Sequence, residues 1–184
     1  MDNEPKPAEA EDSEPDTVDA VWAVVLDPSW QSDQPDQVAP PEVMVGGWLL
    51  DEEGRPGKFF PNPDYTPSGP DVPTDPTHAV MKSLSRGESD TDDLLATLRD
   101  SMLDLGLTEN GELVLAPSPD EATCALVASS PAHHRPDLAA VWQQLPLERI
   151  LDALPDGVDI LLNPGAQESM RLMAEPLRDS TPAP

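Results

Sequence analysis

The sequence predicts an α+β fold, in which a mixed β-sheet packs against a few short helices behind a disordered acidic N-terminal tail. Acidic residues number 36 against 10 Lys plus Arg among 184 residues, a net charge of −26, and residues 1–40 alone carry −10. The 24 prolines are absent between residues 77 and 116. Apolar residues form β-branched runs before that stretch and follow helical spacing within it. These changes divide the chain into a tail at 1–16, a β-meander with a proline-rich strap at 17–73, and an α+β domain at 74–184.

The tail is acidic and contains three prolines but no aromatic or large β-branched residue. Ordering it would cost conformational entropy without compensating burial, so we expect residues 1–16 to be disordered. The same stretch lacks the basic start and apolar run of a signal peptide.

Three apolar runs indicate the strands of the meander. Residues 18–26 are rich in valine and end at an Asp-Pro turn. Residues 43–50 end at the turn sequence of residues 51–54, and residues 58–60 supply a short third strand. A proline follows at nearly every third position over residues 61–76, which predicts an extended strap over the surface.

Two short amphipathic helices are predicted next. Thr74 or Asp75 caps the first, with Pro76 in its first turn and Gly87 at its end. Ser89 and Asp92 have the spacing of a capping box for the second helix, whose inner side carries leucines at 94, 95 and 98.

The remaining elements alternate between strands and helices. Asn110-Gly111 between two leucine-rich runs predicts a β-hairpin over residues 103–115, and the apolar residues 122–128 predict an interior strand. Pro146 opens a helix that Gly157 ends, residues 158–162 form a strand, and residues 170–177 form a final amphipathic helix.

Composition excludes several functional classes. A charge of −26 repels phosphate backbones and anionic lipid headgroups, and no apolar run is long enough to span a bilayer. We therefore expect protein partners, no nucleic acid and no direct membrane insertion. One cysteine gives neither a disulfide framework nor zinc-site spacing, which fits a cytoplasmic location.

The residues that carry chemistry elsewhere do not form a recognisable pattern here. Adjacent histidines such as His133 and His134 point apart, and joining one of them with His78 leaves too few ligands for a metal. Cys124 lies in an apolar run, and no nucleophile elbow surrounds Ser129 or Ser130. We expect no catalytic residues, no cofactor and no metal, and we predict that the chain is not an enzyme.

An ordered set of short sequences resembles a known family. DPSW (27–30), PP (40–41), VGGW (45–48), DEEG (51–54), PNPDYTPS (61–68) and PTDP (73–76) look like the actinobacterial type VII secretion system-associated proteins. SSPAH (129–133), LPDG (154–157) and LNPG (162–165) followed by Ser169-Met170 are similar to the SseB-like domain, named for an enhanced serine sensitivity protein. Together they cover residues from about 20 to 178.

The resemblance implies an accessory protein of the ESX-type secretion apparatus and supplies no catalytic residues. We expect a cytoplasmic adaptor whose partners are secretion-machinery components or secreted helical substrates. Its predicted contacts are Trp30, Trp48 and Tyr65, on or near the strap, and the strand-end loop of Asn163, Pro164 and Gly165. The alternative for Tyr65 is that it and the strap cover a sheet edge. Two other functions stay open: regulatory binding of an amino acid, and mimicry of nucleic acid by the acidic residues.

Overall fold

A computed structural model describes residues 20–32 and 37–179, so the tail predicted over residues 1–16 lies outside the described residues. The first sheet contains three antiparallel strands in chain order, which confirms the predicted meander. They are β1 (Trp22–Leu26), β2 (Met44–Leu50) and β3 (Pro56–Pro61), and a 3₁₀ turn at Pro41–Val43 leads into β2.

Side chains on the inner face of the meander form a small core of their own. Val45, Phe59 and Tyr65 are buried together, and Val25 and Trp48 pack against them. The Trp48 and Phe59 rings meet edge to face with their centroids 4.9 Å apart, a favoured arrangement for aromatic pairs.

The strap bends where an extended segment was predicted. Residues 62–75 contain turns and neither helix nor strand. The Asn62 amide donates to the backbone carbonyls of Pro41 and Met44 at 2.7 and 2.8 Å, and the Tyr65 hydroxyl donates to Asp27 at 2.7 Å. The Ser68 amide also donates to Asp27, at 3.1 Å, so the strap folds around this buried carboxylate.

Two helices follow the strap as predicted. Helix α1 (Pro76–Ser85) starts at the N-cap Asp75 and is followed by Gly87 in the left-handed region. Helix α2 (Thr91–Arg99) has a capping box made by Asp90 and Asp93, one residue later than the pair the sequence suggested. Ser89 still contributes, because its hydroxyl donates to the Asp93 carboxylate at 2.7 Å.

The second sheet has six strands in the order β7-β4-β6-β8-β9, with β5 paired to β6. β6 is the interior strand expected from residues 122–128, and it runs parallel to β8 while the other pairs are antiparallel. The strands are β4 (Met102–Leu107), β5 (Leu115–Pro117), β6 (Thr123–Ala128), β7 (Val141–Pro146), β8 (Asp159–Leu162) and β9 (Met170–Leu172), and the helices are α3 (Leu147–Ala153) and α4 (Ala174–Asp179).

Two sequence predictions for this half were wrong. The turn at Asn110-Gly111 exists, but the returning segment forms a single bridge to β4, Leu107 to Leu113, and then pairs with β6. A longer hairpin is blocked because β6 and β7 already occupy both sides of β4. The final amphipathic element is a strand, β9, followed by the separate helix α4.

The main core lies between the second sheet and the helices. Alternate side chains of β4, β6 and β8 pack with apolar residues of all four helices, including Met81, Leu98, Ile150 and Ala174. The two sheets meet where the Phe59 amide donates to the Asp100 carbonyl at 2.6 Å and Phe59 forms a bridge with Ser101. Within the described residues, no helix combines the length and apolar character needed to cross a bilayer.

Candidate functional site

A cluster of buried polar side chains lies where the parallel strands β6 and β8 end. Ser129 follows β6 and Asn163 follows β8, and the start of α1 brings Thr74 and Asp75 against them. Crevices outside the carboxyl ends of parallel strands are frequent binding sites in α/β proteins. The polar cluster comprises Thr74, Asp75, His78, Ser129, His133, Asn163 and Glu168.

The Asp75 carboxylate is the acceptor at the centre of the polar cluster. Its Oδ1 accepts from the His78 amide at 2.9 Å, which makes Asp75 the N-cap of α1. Its Oδ2 accepts from the Thr74 hydroxyl at 2.7 Å and from the Ser129 hydroxyl at 2.9 Å. Three donors therefore compensate for the burial of this charge.

The two histidines take defined roles from their partners. The Thr74 amide donates to His78 Nδ1 at 3.2 Å, so in the neutral ring the proton sits on Nε2, which lies 3.5 Å from Glu168 Oε2. The Thr74 hydroxyl gives its proton to Asp75, so His133 Nε2, 2.9 Å away, donates to Thr74. The two imidazole rings meet edge to face with their centroids 4.8 Å apart.

Burial and neighbouring charges shift the pKa values of two side chains here. Burial lowers the pKa of His133 below its ordinary value; Asp75 and Glu168 oppose this shift, and His78 adds to it. Burial also disfavours ionisation of Glu168, but its own backbone amide and the charges of Lys82 and His78 outweigh that effect and lower its pKa. Lys82 Nζ lies 3.6 Å from Glu168 Oε1.

Asn163 locks the ends of β6 and β8 together. Its side-chain oxygen accepts from the Ser129 amide at 2.8 Å, and its side-chain nitrogen donates to the Ser129 hydroxyl at 2.9 Å. It also adopts a positive φ of 50°, which asparagine tolerates better than most residues. Asn163 is therefore a structural residue of the polar cluster.

The two serines after β6 differ in their hydrogen bonding. The Ser129 hydroxyl donates to Asp75 and is not held by a histidine base, and the buried Ser130 hydroxyl has no hydrogen-bond partner among the described residues. Of the histidines considered from sequence, His78 and His133 come together, whereas His134 bonds Asp104 at 2.8 Å and stacks on Trp142. Across residues 20–32 and 37–179, no group of three or more His, Cys, Asp or Glu is placed to hold a metal ion.

The six predicted contact residues lie at separate places. Tyr65, Asn163 and Pro164 are buried, Trp30 and Trp48 are half-buried, and Gly165 is exposed. Tyr65 is buried in the meander core, and its hydroxyl donates to Asp27 and so anchors the strap. The half-buried Trp48 also packs against that core, and the Arg135 guanidinium lies over Gly165.

The sequence did not single out the most exposed apolar surface of the meander. Trp22, Val24, Leu26 and Leu49 are 45, 47, 39 and 40% exposed. The register places Trp22 beside Leu49, and Val24 and Phe60 on either side of Gly47, so these four side chains share one face. We call it the outer sheet face: Trp22, Val24, Leu49 and Phe60.

The outer sheet face was missed because β1 is apolar at every position. A period-two pattern with polar residues marks the solvent side of a strand, and WAVVL has none. A glycine within a strand indicates that another group packs closely against that position. Gly47 gave this signal, and the Trp22 ring does lie close to where its Cβ would be.

Comparison with protein-family models, with curated proteins and with solved structures finds no match to this chain. The resemblance to type VII secretion system-associated proteins therefore stays a prediction from the sequence.

Proposed function

We propose that this chain is a non-catalytic cytoplasmic accessory protein that binds protein partners of a type VII (ESX-type) secretion system. The observation that supports binding is the outer sheet face, where Trp22 and Val24 of β1 and Leu49 of β2 are exposed together. Contiguous apolar patches on a protein surface often mark interaction sites, and tryptophan is enriched among interface hot spots. The assignment to secretion rests on the sequence resemblance.

The two alternative functions fit the described surface less well. An amino-acid site needs converging polar groups with free hydrogen-bonding capacity, whereas the Asp75 carboxylate already accepts three hydrogen bonds inside the polar cluster. Mimicry of nucleic acid needs an ordered row of carboxylates, and the side chains of the outer sheet face are apolar.

The test is affinity capture of the tagged chain from extracts of its native cells, with mass-spectrometric identification of co-purifying proteins. Val24→Asp places a charge at the centre of the outer sheet face. Val24 is exposed, so the substitution removes no side chain from a core. Leu115→Asp, at an exposed apolar position on β5 of the second sheet, is the matched control. Unchanged thermal midpoints would establish that both variants fold.

We expect the wild type and Leu115→Asp to recover secretion ATPase, membrane-complex or small helical substrate proteins, and Val24→Asp to recover at least about fivefold less. Recovery should persist between about 0.15 M and about 0.5 M salt, because apolar contacts are not screened. Equal recovery with both variants would overturn the role of the outer sheet face. Recovery of no secretion component would overturn the proposed function, and a thermal shift with serine would then favour amino-acid binding.

A further inference from the structure

Strand β1 is the free edge of the meander. Within residues 20–32 and 37–179 it pairs with β2 alone. The other two strands have neighbours on both sides, because β2 lies between β1 and β3, and β3 is bridged to the second sheet through Phe59 and Ser101. A partner that extends the meander would therefore add to β1.

The main chain of β1 has hydrogen-bonding groups directed to this edge. The Leu50 amide donates to the Val21 carbonyl at 2.9 Å, and the register then runs without a shift from Trp22 to Val25. In an antiparallel pair, every second residue exchanges hydrogen bonds with the neighbouring strand, so residues 21, 23 and 25 face β2. The amides and carbonyls of Trp22 and Val24 therefore face the free edge.

This edge lacks the features with which proteins usually prevent further strand pairing. Charged residues, prolines and very short strands are common at sheet edges for that purpose. In the second sheet, β9 has three residues and carries Arg171, and β7 ends at Pro146. β1 has five apolar residues without charge or proline, and its one register shift comes at its end, between Val25 and Leu26.

An apolar cavity lies beside this edge, between the meander and α1. Val25 and Leu26 of β1 line one side, and Val72, Pro73 and Ala79 of the strap and α1 line the other. Its volume is about 280 Å³, and it is open to solvent. No residue of β3 lines it, so it lies on the β1 side of the meander. We call it the β1 cavity.

A free edge beside a cavity has the form that binds an extended chain. In strand addition, main-chain hydrogen bonds supply affinity, and pockets for alternate side chains supply specificity. Side chains opposite Val24 would extend the outer sheet face, whereas a side chain opposite Val25 would point to the inner face. Val25 packs on that inner face and also lines the β1 cavity, so an inward aliphatic side chain would enter it.

Acidic residues predominate around this edge. Residues 20–54 and 61–81, which include β1, β2, the strap and the start of α1, contain no Lys or Arg. Lys82, in the next turn of α1, is shared between Glu168 and Asp71, whose carboxylates lie 3.6 and 4.0 Å from its Nζ. These three side chains together carry one net negative charge.

The charge also discriminates between possible occupants. Exposed Glu42 lies at the end of β1, because the carbonyl of the next residue, Val43, accepts from the Asp27 amide at 2.8 Å. The cations Arg55 and Lys58 lie at the β2–β3 turn and on β3, the far side of the meander. A strand with basic flanks would be attracted to the β1 edge, whereas a second copy of a chain with a charge of −26 would be repelled.

We infer that β1 binds an extended segment of a partner protein as an added strand. The segment has apolar side chains at alternate positions, one of them aliphatic and placed in the β1 cavity, and basic residues at its ends. This inference rests on the proposed function only in taking a protein as the partner. It deepens that function, because Trp22 and Val24 belong both to the outer sheet face and to the pairing edge.

The first test uses a phage-displayed library of random 12-residue peptides, selected on the purified full-length chain. We expect the selected peptides to have apolar residues at every second position and Lys or Arg at their ends. Replacing those end residues by Glu should weaken binding at least about fivefold, measured by fluorescence anisotropy. Selection of no peptide would overturn the inference, and so would peptides with apolar residues at helical spacing.

The second test methylates single backbone amides of a selected peptide and uses the wild-type chain. In an added strand, alternate amides face β1, and a methyl group there removes a hydrogen bond and separates the strands. We expect dissociation constants to rise at least about fivefold at every second central position and to stay within about twofold at the positions between. A response without this alternation would overturn strand addition, whatever the behaviour of the variants below.

Variants of the chain locate the binding site. Val24→Pro removes an amide that faces the free edge and leaves the ladder with β2 intact, whereas Val24→Thr keeps that amide. Ala79→Leu fills the β1 cavity, and Ala96→Leu makes the same change at an exposed position on α2. Thermal midpoints check that each variant folds. We expect peptide binding to weaken at least about fivefold in Val24→Pro and Ala79→Leu, and to stay within about twofold of wild type in the two controls.

Equal binding by all four variants would place the peptide elsewhere and overturn the inference. Dimerisation of the wild type in sedimentation, if Val24→Pro abolished it, would mean that a second copy occupies the edge. Capture of secretion proteins equally by wild type and Val24→Pro would overturn strand addition and leave the proposed function standing. Because the peptide experiments use the purified chain, strand addition would stand if affinity capture recovered no secretion component.

Discussion

At the scale of single residues, two buried carboxylates fix the positions of segments without regular secondary structure. Burial disfavours ionisation of Asp27, but hydrogen bonds from Ser29, Ser68 and Tyr65 outweigh it and hold the pKa of Asp27 far below its ordinary value. Burial and the hydrogen bond to Asp27 raise the pKa of Tyr65. Asp75 has the equivalent role at the start of α1. Each carboxylate joins segments that are distant in the sequence, so stability depends on a few polar contacts as well as on the apolar core.

His133 should make the folded state sensitive to mild acid. Its folded pKa is lowered, so below about pH 6.5 the unfolded chain binds a proton that the folded chain resists, and stability falls as the pH falls. His133→Gln keeps an N–H donor for Thr74 but does not titrate. Urea unfolding from about pH 8 to about pH 5 should therefore show a steeper loss for wild type than for the variant.

Asp75, His78, His134 and Glu168 remain in both proteins, so the difference between the two curves reports the protonation of His133 together with its coupling to these groups. Parallel curves would show that His133 does not couple protonation to folding.

At the scale of elements, one glycine decides how the meander packs. Gly46 in β2 has a φ of 153°, and a Cβ there would lie 2.5 Å from the Phe59 ring and also collide with the Phe60 carbonyl. We expect Gly46→Ala to lower the free energy of unfolding by about 2–4 kcal/mol, combining backbone strain with overpacking. Urea unfolding measures this loss.

Gly54 is the matched control, because its φ is 77° and no heavy atom lies within 4 Å of an added Cβ. Gly54→Ala should cost only about 1 kcal/mol, the backbone term alone. A similar loss in both variants would contradict the packing role of Gly46.

Elements with strong local signals were predictable from the sequence, and elements set by pairing were not. The cap at Asp75, the interior strand β6 and the helix α3 follow from local spacing. Strand β7 was missed because its polar Gln143 and Gln144 give little apolar alternation, and only pairing with β4 defines it. The polar cluster was also out of reach, because Asp75, Ser129 and Asn163 meet only once three separate segments have folded.

At the scale of the whole molecule, Phe59 connects two partly independent cores. Its ring is buried with Val45 and Tyr65 in the meander, and its amide donates to Asp100 at the entrance to the second sheet. Phe59→Ala should cost about 3–5 kcal/mol through lost burial and the cavity left behind. That loss should fall mainly on the meander, because the main core of the second sheet does not include Phe59.

Native-state hydrogen exchange followed by mass spectrometry distinguishes local from global loss. In Phe59→Ala, amides of residues 44–61 should exchange faster, while those of β6 should keep most of their protection. Leu126→Ala, at a fully buried position within β6, is the control and should accelerate exchange across the second sheet. Equal acceleration of both sheets in Phe59→Ala would mean that the two cores unfold as one cooperative unit. In that case a partner bound to the outer sheet face would also stabilise the second sheet.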